Sequence, residues 1–174
     1  MSIRKEGGFA LLDLVFVCGM IGLLTSIAVP NLILAKQAAG SASALGTLRT
    51  VGSSQLTFAL TCGSGFYSPN LTTLGKPPAG TDEAFISPGM GDADTFNKSG
   101  YSFHLEGTPY PGAPPACNDT PGGGQGFKAS AEPLDATNVR FFATNANMII
   151  YEDAVTLWDV MPEVGEPTIG VPIH

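Results

Sequence analysis

The chain has 174 residues, 44% of them hydrophobic and only 13% charged, with 8 Lys and Arg against 15 Asp and Glu for a formal net charge of −7. That length accommodates one ordinary domain. The acidity argues against direct nucleic-acid binding: residues 51–174 carry four basic and thirteen acidic side chains, with no basic patch interleaved with aromatics.

The apolar residues are concentrated at the amino-terminal end. After Arg4, Lys5, Glu6, Gly7 and Gly8 comes FALLDLVFVCGMIGLLTSIAVPNLILA, 27 residues whose single formal charge is Asp13. As a helix this run would be about 40 Å long, more than the roughly 20 residues that cross a bilayer, so it predicts a single membrane span. Arg4 and Lys5 before it, with only Lys36 close after it, predict a cytoplasmic amino terminus and an exported carboxyl-terminal domain. A cleaved secretory signal fits poorly, because the small residues around Thr25 to Ala28 are followed by more apolar helix. A lipoprotein signal fits no better, since Val15, Phe16 and Val17 precede Cys18. Cys18 reads as a packed or lipid-facing thiol.

The stretch EGGFALLD, residues 6–13, together with IGLLTSIAVPNLILAK, residues 21–36, resembles the amino terminus of type IV pilins and type II secretion pseudopilins. The resemblance covers about the first 55 residues and fades through SASALGTLRTVGSSQ. It implies a prepilin leader over residues 1–8, cleavage between Gly8 and Phe9, N-methylation of Phe9, and an assembly role for Phe9, Asp13 and Pro30. Pro30 stands at the family's helix-bending proline. The family's usual acid at the fifth mature position is glutamate, whereas this chain has the shorter aspartate. The resemblance further implies a structural, non-enzymatic subunit of a pilus-like filament or secretion pseudopilus. Its partners would be like subunits or related minor pilins, a prepilin peptidase, the inner-membrane assembly machinery and the lipid bilayer.

The physical chemistry of the motif is consistent with that role. An unpaired carboxylate at a bilayer centre costs about 2.5–3.5 kcal/mol on insertion scales, and less near the edge. After cleavage, the new amine of Phe9 would be a cation one helical turn from Asp13, able to compensate it in the same chain or in a neighbour. Gly8, lacking a side chain, suits an extended conformation in a protease cleft. Two competing readings are an interfacial aspartate that snorkels to the headgroups and a monomeric, membrane-anchored binding or sensing domain that keeps its leader.

Further along, Pro30 removes a backbone donor deep within the helical pattern and predicts a kink or short melted segment over Ser26 to Pro30. Gly19 and Gly22 allow close helix packing. Residues 36–60 read as an amphipathic extension with Leu45, Leu48, Val51, Leu56 and Leu60 inward, weakened by Gly40, Gly46 and Gly52. Gly63, Gly65 and Pro69 end the helix, and residues 61–174 form an exported, β-rich head. Residues 68–100 read as loop. The strand candidates are YSFHL at 101–105, GFKASAEP at 126–133, and VRFFA with NMIIYE over 139–152. In the first of these Tyr101, Phe103 and Leu105 alternate with polar residues, as in a sheet covered on one face. Prolines and glycines interrupt residues 107–126. The predicted fold is α+β: a long amino-terminal helix, half of it transmembrane, packed against a small antiparallel sheet in a pilin-like manner, with Phe103, Phe127, Phe142 and Ile150 in the core.

Cys62 and Cys117 both fall in the soluble part, and in an oxidising compartment they can pair. Such a bond stabilises by about 4 kcal/mol on the chain-entropy account. Catalytic, cofactor and metal candidates are thin. His104 alternates with core residues and reads as an exposed strand histidine, while His174 is far from it in sequence. Ser53 and Ser54 lack a matched base. Gly122 to Gly124 lack the lysine of a phosphate loop and read as a flexible turn. Asp92 to Asn97 omit the glycine and terminal glutamate of a calcium loop, and read with Glu152 and Asp153 as solvated acids.

Overall fold

The computed structural model describes residues 7–173, with side chains from residue 11 onward. Arg4, Lys5 and Glu6 of the expected leader, and His174, lie outside the described residues. The elements are α1 (Gly7–Thr61), α2 (Leu71–Gly75), β1 (Thr95–Lys98), β2 (Tyr101–Glu106), β3 (Lys128–Pro133), β4 (Phe141–Asn145), β5 (Ile150–Asp153) and β6 (Val171–Ile173). Two compact units divide the chain, Met1–Ala38 and Ala39–His174, and α1 contributes to both.

In the first unit α1 is helical through Pro30, so the melted segment expected over Ser26 to Pro30 does not occur. Proline leaves the Ser26 carbonyl without its usual donor, but neighbouring polar side chains bond back to the ladder. Thr25 Oγ1 donates to the Gly22 carbonyl at 3.0 Å, Ser26 Oγ to Leu23 at 2.8 Å, and Asn31 Nδ2 to Ile27 at 2.9 Å.

The second unit is an α+β arrangement. Its six-stranded sheet runs β1-β2-β3-β4-β5-β6, with every neighbouring pair antiparallel. Consecutive residues point to opposite faces of a strand. Phe96, Phe103, Ala131 and Phe142 stand opposite one another across β1 to β4, and Leu105, Ala129, Thr144 and Ile150 line up across β2 to β5. These residues meet Ala44, Leu48, Val51 and Phe58 of α1 in one buried cluster, apart from the hydroxyl-bearing Thr144. Phe103, Phe127, Phe142 and Ile150, the expected core residues, are buried.

The helix face differs from the expected leucine stripe. Leu56 is 45% and Leu60 75% exposed, whereas Phe58 is fully buried and Gln55 is as well. Spacings of four and three residues connect Ala44, Leu48, Val51, Gln55, Phe58 and Cys62, which is the period of one helix face. Gln55 is tolerated there because both ends of its amide are bonded: Nε2 donates to the Ser68 carbonyl at 2.9 Å, and Oε1 accepts from the Ser68 amide at 2.7 Å.

Residues 68–100 are also more ordered than a loop. Asn70 caps α2, its Oδ1 accepting from the Thr73 amide at 2.9 Å, as short polar side chains do at helix starts. β1 forms because Phe96 stacks on Phe103 with ring centroids 4.8 Å apart. Ser99 and Gly100, with φ of 52° and 84°, make the tight turn that matches strand twist.

The disulfide between Cys62 and Cys117 is present, with a Cα separation of 4.8 Å. The Cys117 amide also donates to the Cys62 carbonyl at 3.1 Å, so the crosslink and a backbone bond fix the same junction. Gly122 to Gly124 are correspondingly not a flexible turn. Gly124 exchanges two backbone bonds with Tyr67, both 2.9 Å, and a Cβ on Gly123 would lie 2.0 Å from the Tyr67 carbonyl oxygen. These glycines serve close backbone approach rather than freedom.

Candidate functional site

The candidate site is the surface of α1 in the first unit. A helix with apolar residues on every side has no solvated face to offer water, so it needs a membrane or other helices around it. Leu11, Leu14, Phe16, Ile21, Leu24, Ile27, Leu32 and Leu34 are all more than half exposed, and they fall on all sides of the rod. Among the described residues this is one helix long and apolar enough to cross a membrane.

The expected site residues occupy the beginning and middle of that rod. Gly8 and Phe9 fall in the first turn of α1; the Phe9 side chain lies outside the described residues. Asp13 follows one turn later, exposed. Residues four apart share a helix face, so the position that cleavage would convert to an amine and the carboxylate at Asp13 are axial neighbours on one side of the helix. Pro30 sits farther along, within continuous helix. Cys18 is a free, exposed thiol on the same rod.

The polar groups of the second unit are occupied in ways the sequence did not reveal. His104 is half-buried rather than exposed, because Trp158 stacks on it at a centroid distance of 4.0 Å. Lys128 Nζ lies 4.2 Å from the same indole and also donates to the Trp158 carbonyl at 3.2 Å. Glu152 is paired rather than solvated: Arg140 Nε and Nη2 donate to its two carboxylate oxygens, the second at 3.0 Å. That bond raises the Arg140 pKa above its ordinary value, against an opposing effect of partial burial. Asp94 accepts from Thr72 Oγ1 at 3.0 Å. Ser53 is exposed and Ser54 buried on α1. A cleft lined by Gly75, Pro77, Asp82, Phe85 and Asp92 opens beside α2. Among the described residues, no three His, Cys, Asp or Glu side chains converge to hold a metal ion.

Comparison of the chain with protein-family models, with characterised proteins and with solved structures gives no match.

Proposed function

We propose that this chain is a structural subunit that is cleaved between Gly8 and Phe9 and assembles through its amino-terminal helix into a type IV pilus-like filament or type II secretion pseudopilus. One observation carries the proposal: the long apolar rod bears a single acid, Asp13, four residues beyond a glycine–phenylalanine junction that follows a short charged segment. A rod that merely anchors a domain has no need of a carboxylate at that depth. A rod that must meet the cationic end of another helix does, because a buried charge becomes tolerable once it is paired and hydrogen-bonded.

In this reading the subunit spans the inner membrane with its amino terminus in the cytoplasm and its head exported. The α+β arrangement of helix and antiparallel sheet in the head supports this reading, and the Cys62–Cys117 bond suits the oxidising side of the membrane. The role is structural rather than enzymatic. Like subunits, related minor pilins, a prepilin peptidase that cuts at Gly8 and methylates Phe9, and the inner-membrane assembly machinery are the partners.

Mass spectrometry of membrane-extracted protein tests the processing step. The expected product begins at Phe9. Recovery only of the intact Met1 chain from cells with an active prepilin peptidase would overturn the proposal in favour of a monomeric anchored domain.

A further inference from the structure

Glycosylated asparagines of exported proteins stand in the sequence Asn-x-Ser/Thr, with x other than proline, on surface backbone. That sequence occurs three times in the head: Asn70-Leu71-Thr72, Asn97-Lys98-Ser99 and Asn118-Asp119-Thr120. The acceptor atom is the side-chain amide nitrogen, so a usable site holds that nitrogen at the surface with room for a bulky, hydrated group. Two of the three are taken up by the fold. Asn118 is 1% exposed, and its Nδ2 donates to the Thr73 and Lys76 carbonyls, both at 2.9 Å. A sugar in place of one of those hydrogens would break a buried bond. Asn70 is half-buried at the start of α2, where its Oδ1 accepts from the Thr73 amide and from Thr72 Oγ1, both at 2.9 Å. Thr120 Oγ1 is likewise turned back onto Asn118 Oδ1, at 2.6 Å.

Asn97 is placed differently. β1 is an outer strand of the sheet, paired only with β2. Strand alternation sends Phe96 into the core and Asn97 to the other face, where it is exposed. Ser99, which completes the sequence, is exposed at the first position of the two-residue turn into β2. Acceptor amide and hydroxyl thus share one solvent-facing hairpin edge. A glycan there also answers a need of the fold, because an outer strand offers unpaired backbone groups to another chain. The opposite outer strand, β6, is three residues long and carries Pro172, both of which blunt an edge. β1 has Lys98 as its one charged guard.

We propose that Asn97 is an N-glycosylation site, carrying an oligosaccharide that shields the β1 edge. The donor class is an oligosaccharide linked to a lipid diphosphate. Asn97 Nδ2 forms a bond to the anomeric carbon, the bond from that carbon to the diphosphate oxygen breaks, and the amide gives up one proton, with no change of oxidation state. The transfer takes place on the exported side of the membrane, so the inference rests on the export of the head.

Peptide mapping by mass spectrometry, on the chain extracted from its native membranes, tests this. The peptide holding Asn97 should carry an added saccharide mass, and those holding Asn70 and Asn118 should be bare. Asn97→Gln should lose the added mass entirely. So should Ser99→Gly, which keeps the acceptor amide, suits the left-handed φ of 52° and removes the hydroxyl. A bare Asn97 peptide in the wild type would overturn the proposal, as would added mass at Asn70 or Asn118 in its place, or its persistence in Ser99→Gly. The state of Cys62 and Cys117 in the same digest separates this failure from that of the reading beneath it. If they are joined, the head was exported and the failure belongs to Asn97 alone; if both are free, the export of the head fails as well.

Discussion

Replacing Gln55 by alanine tests which face of α1 meets the head's core. Gln55 and Ser68 are both fully buried, and the two hydrogen bonds between the glutamine amide and the Ser68 backbone, 2.9 and 2.7 Å, fix the chain where it turns back after Cys62. Alanine would leave a buried N–H and a buried C=O without partners, each worth about 1–3 kcal/mol. The expected loss is about 3–5 kcal/mol, a large part of the roughly 5–15 kcal/mol that holds a domain folded. Gln55→Glu should be at least as damaging, because a carboxylate has no donor for the Ser68 carbonyl. Leu60→Ala is the control: that side chain is 75% exposed, so its loss should change head stability by no more than about 0.5 kcal/mol. The assay is protease susceptibility of the head across a urea series, on detergent-solubilised full chain with the disulfide intact. A loss under about 1 kcal/mol for Gln55→Ala, with a larger loss for Leu60→Ala, would refute the assigned helix face.

Two further predictions concern the head. Gly40 and Gly46 are both helical, yet a Cβ at Gly40 would lie 2.8 Å from the Ser99 carbonyl oxygen, whereas at Gly46 nothing lies within 4 Å. In the same urea assay Gly46→Ala should therefore stabilise by about 0.5–1 kcal/mol through helix propensity, and Gly40→Ala should destabilise by about 1–3 kcal/mol through overpacking; equal signs would contradict this. Removing the crosslink with Cys62→Ser and Cys117→Ser should lower stability by about 4 kcal/mol. Non-reducing peptide mapping of alkylated native protein should recover the two cysteines joined, and finding both free would remove the constraint.

Much of the head was legible because its patterns are local. Tyr101, Phe103 and Leu105 alternate with polar residues, and the β2 strand with its buried face followed directly. β1 was hidden because Thr95–Lys98 carries one large apolar side chain, whose reason for burial is a stack on Phe103 in the next strand. β6 is three residues long and contains Pro172, which cannot donate to a ladder. Gln55 was not among the expected inward residues, for a different reason. A polar residue on an apolar stripe looks like a gap in the pattern until its partner, thirteen residues on, is known. The same holds for His104, whose alternation suggested solvent but whose outer face is covered by Trp158 from a segment 54 positions later. The apolar rod with Asp13 needed no distant contact to be seen, since composition and spacing define it.

The role of Asp13 in assembly is the central claim, and incorporation into filaments tests it most directly. Epitope-tagged wild type, Asp13→Ala and Asp13→Glu would be compared at equal membrane expression, scoring the fraction of processed subunit in sheared filaments or crosslinked oligomers. Loss of one partner from a buried charge pair costs about 3–5 kcal/mol, so Asp13→Ala should insert and be cleaved while its incorporation falls sharply. Asp13→Glu, which keeps the charge, should retain most of it. Incorporation of Asp13→Ala at the wild-type level would contradict the claim and leave Asp13 as an interfacial residue with no part in assembly.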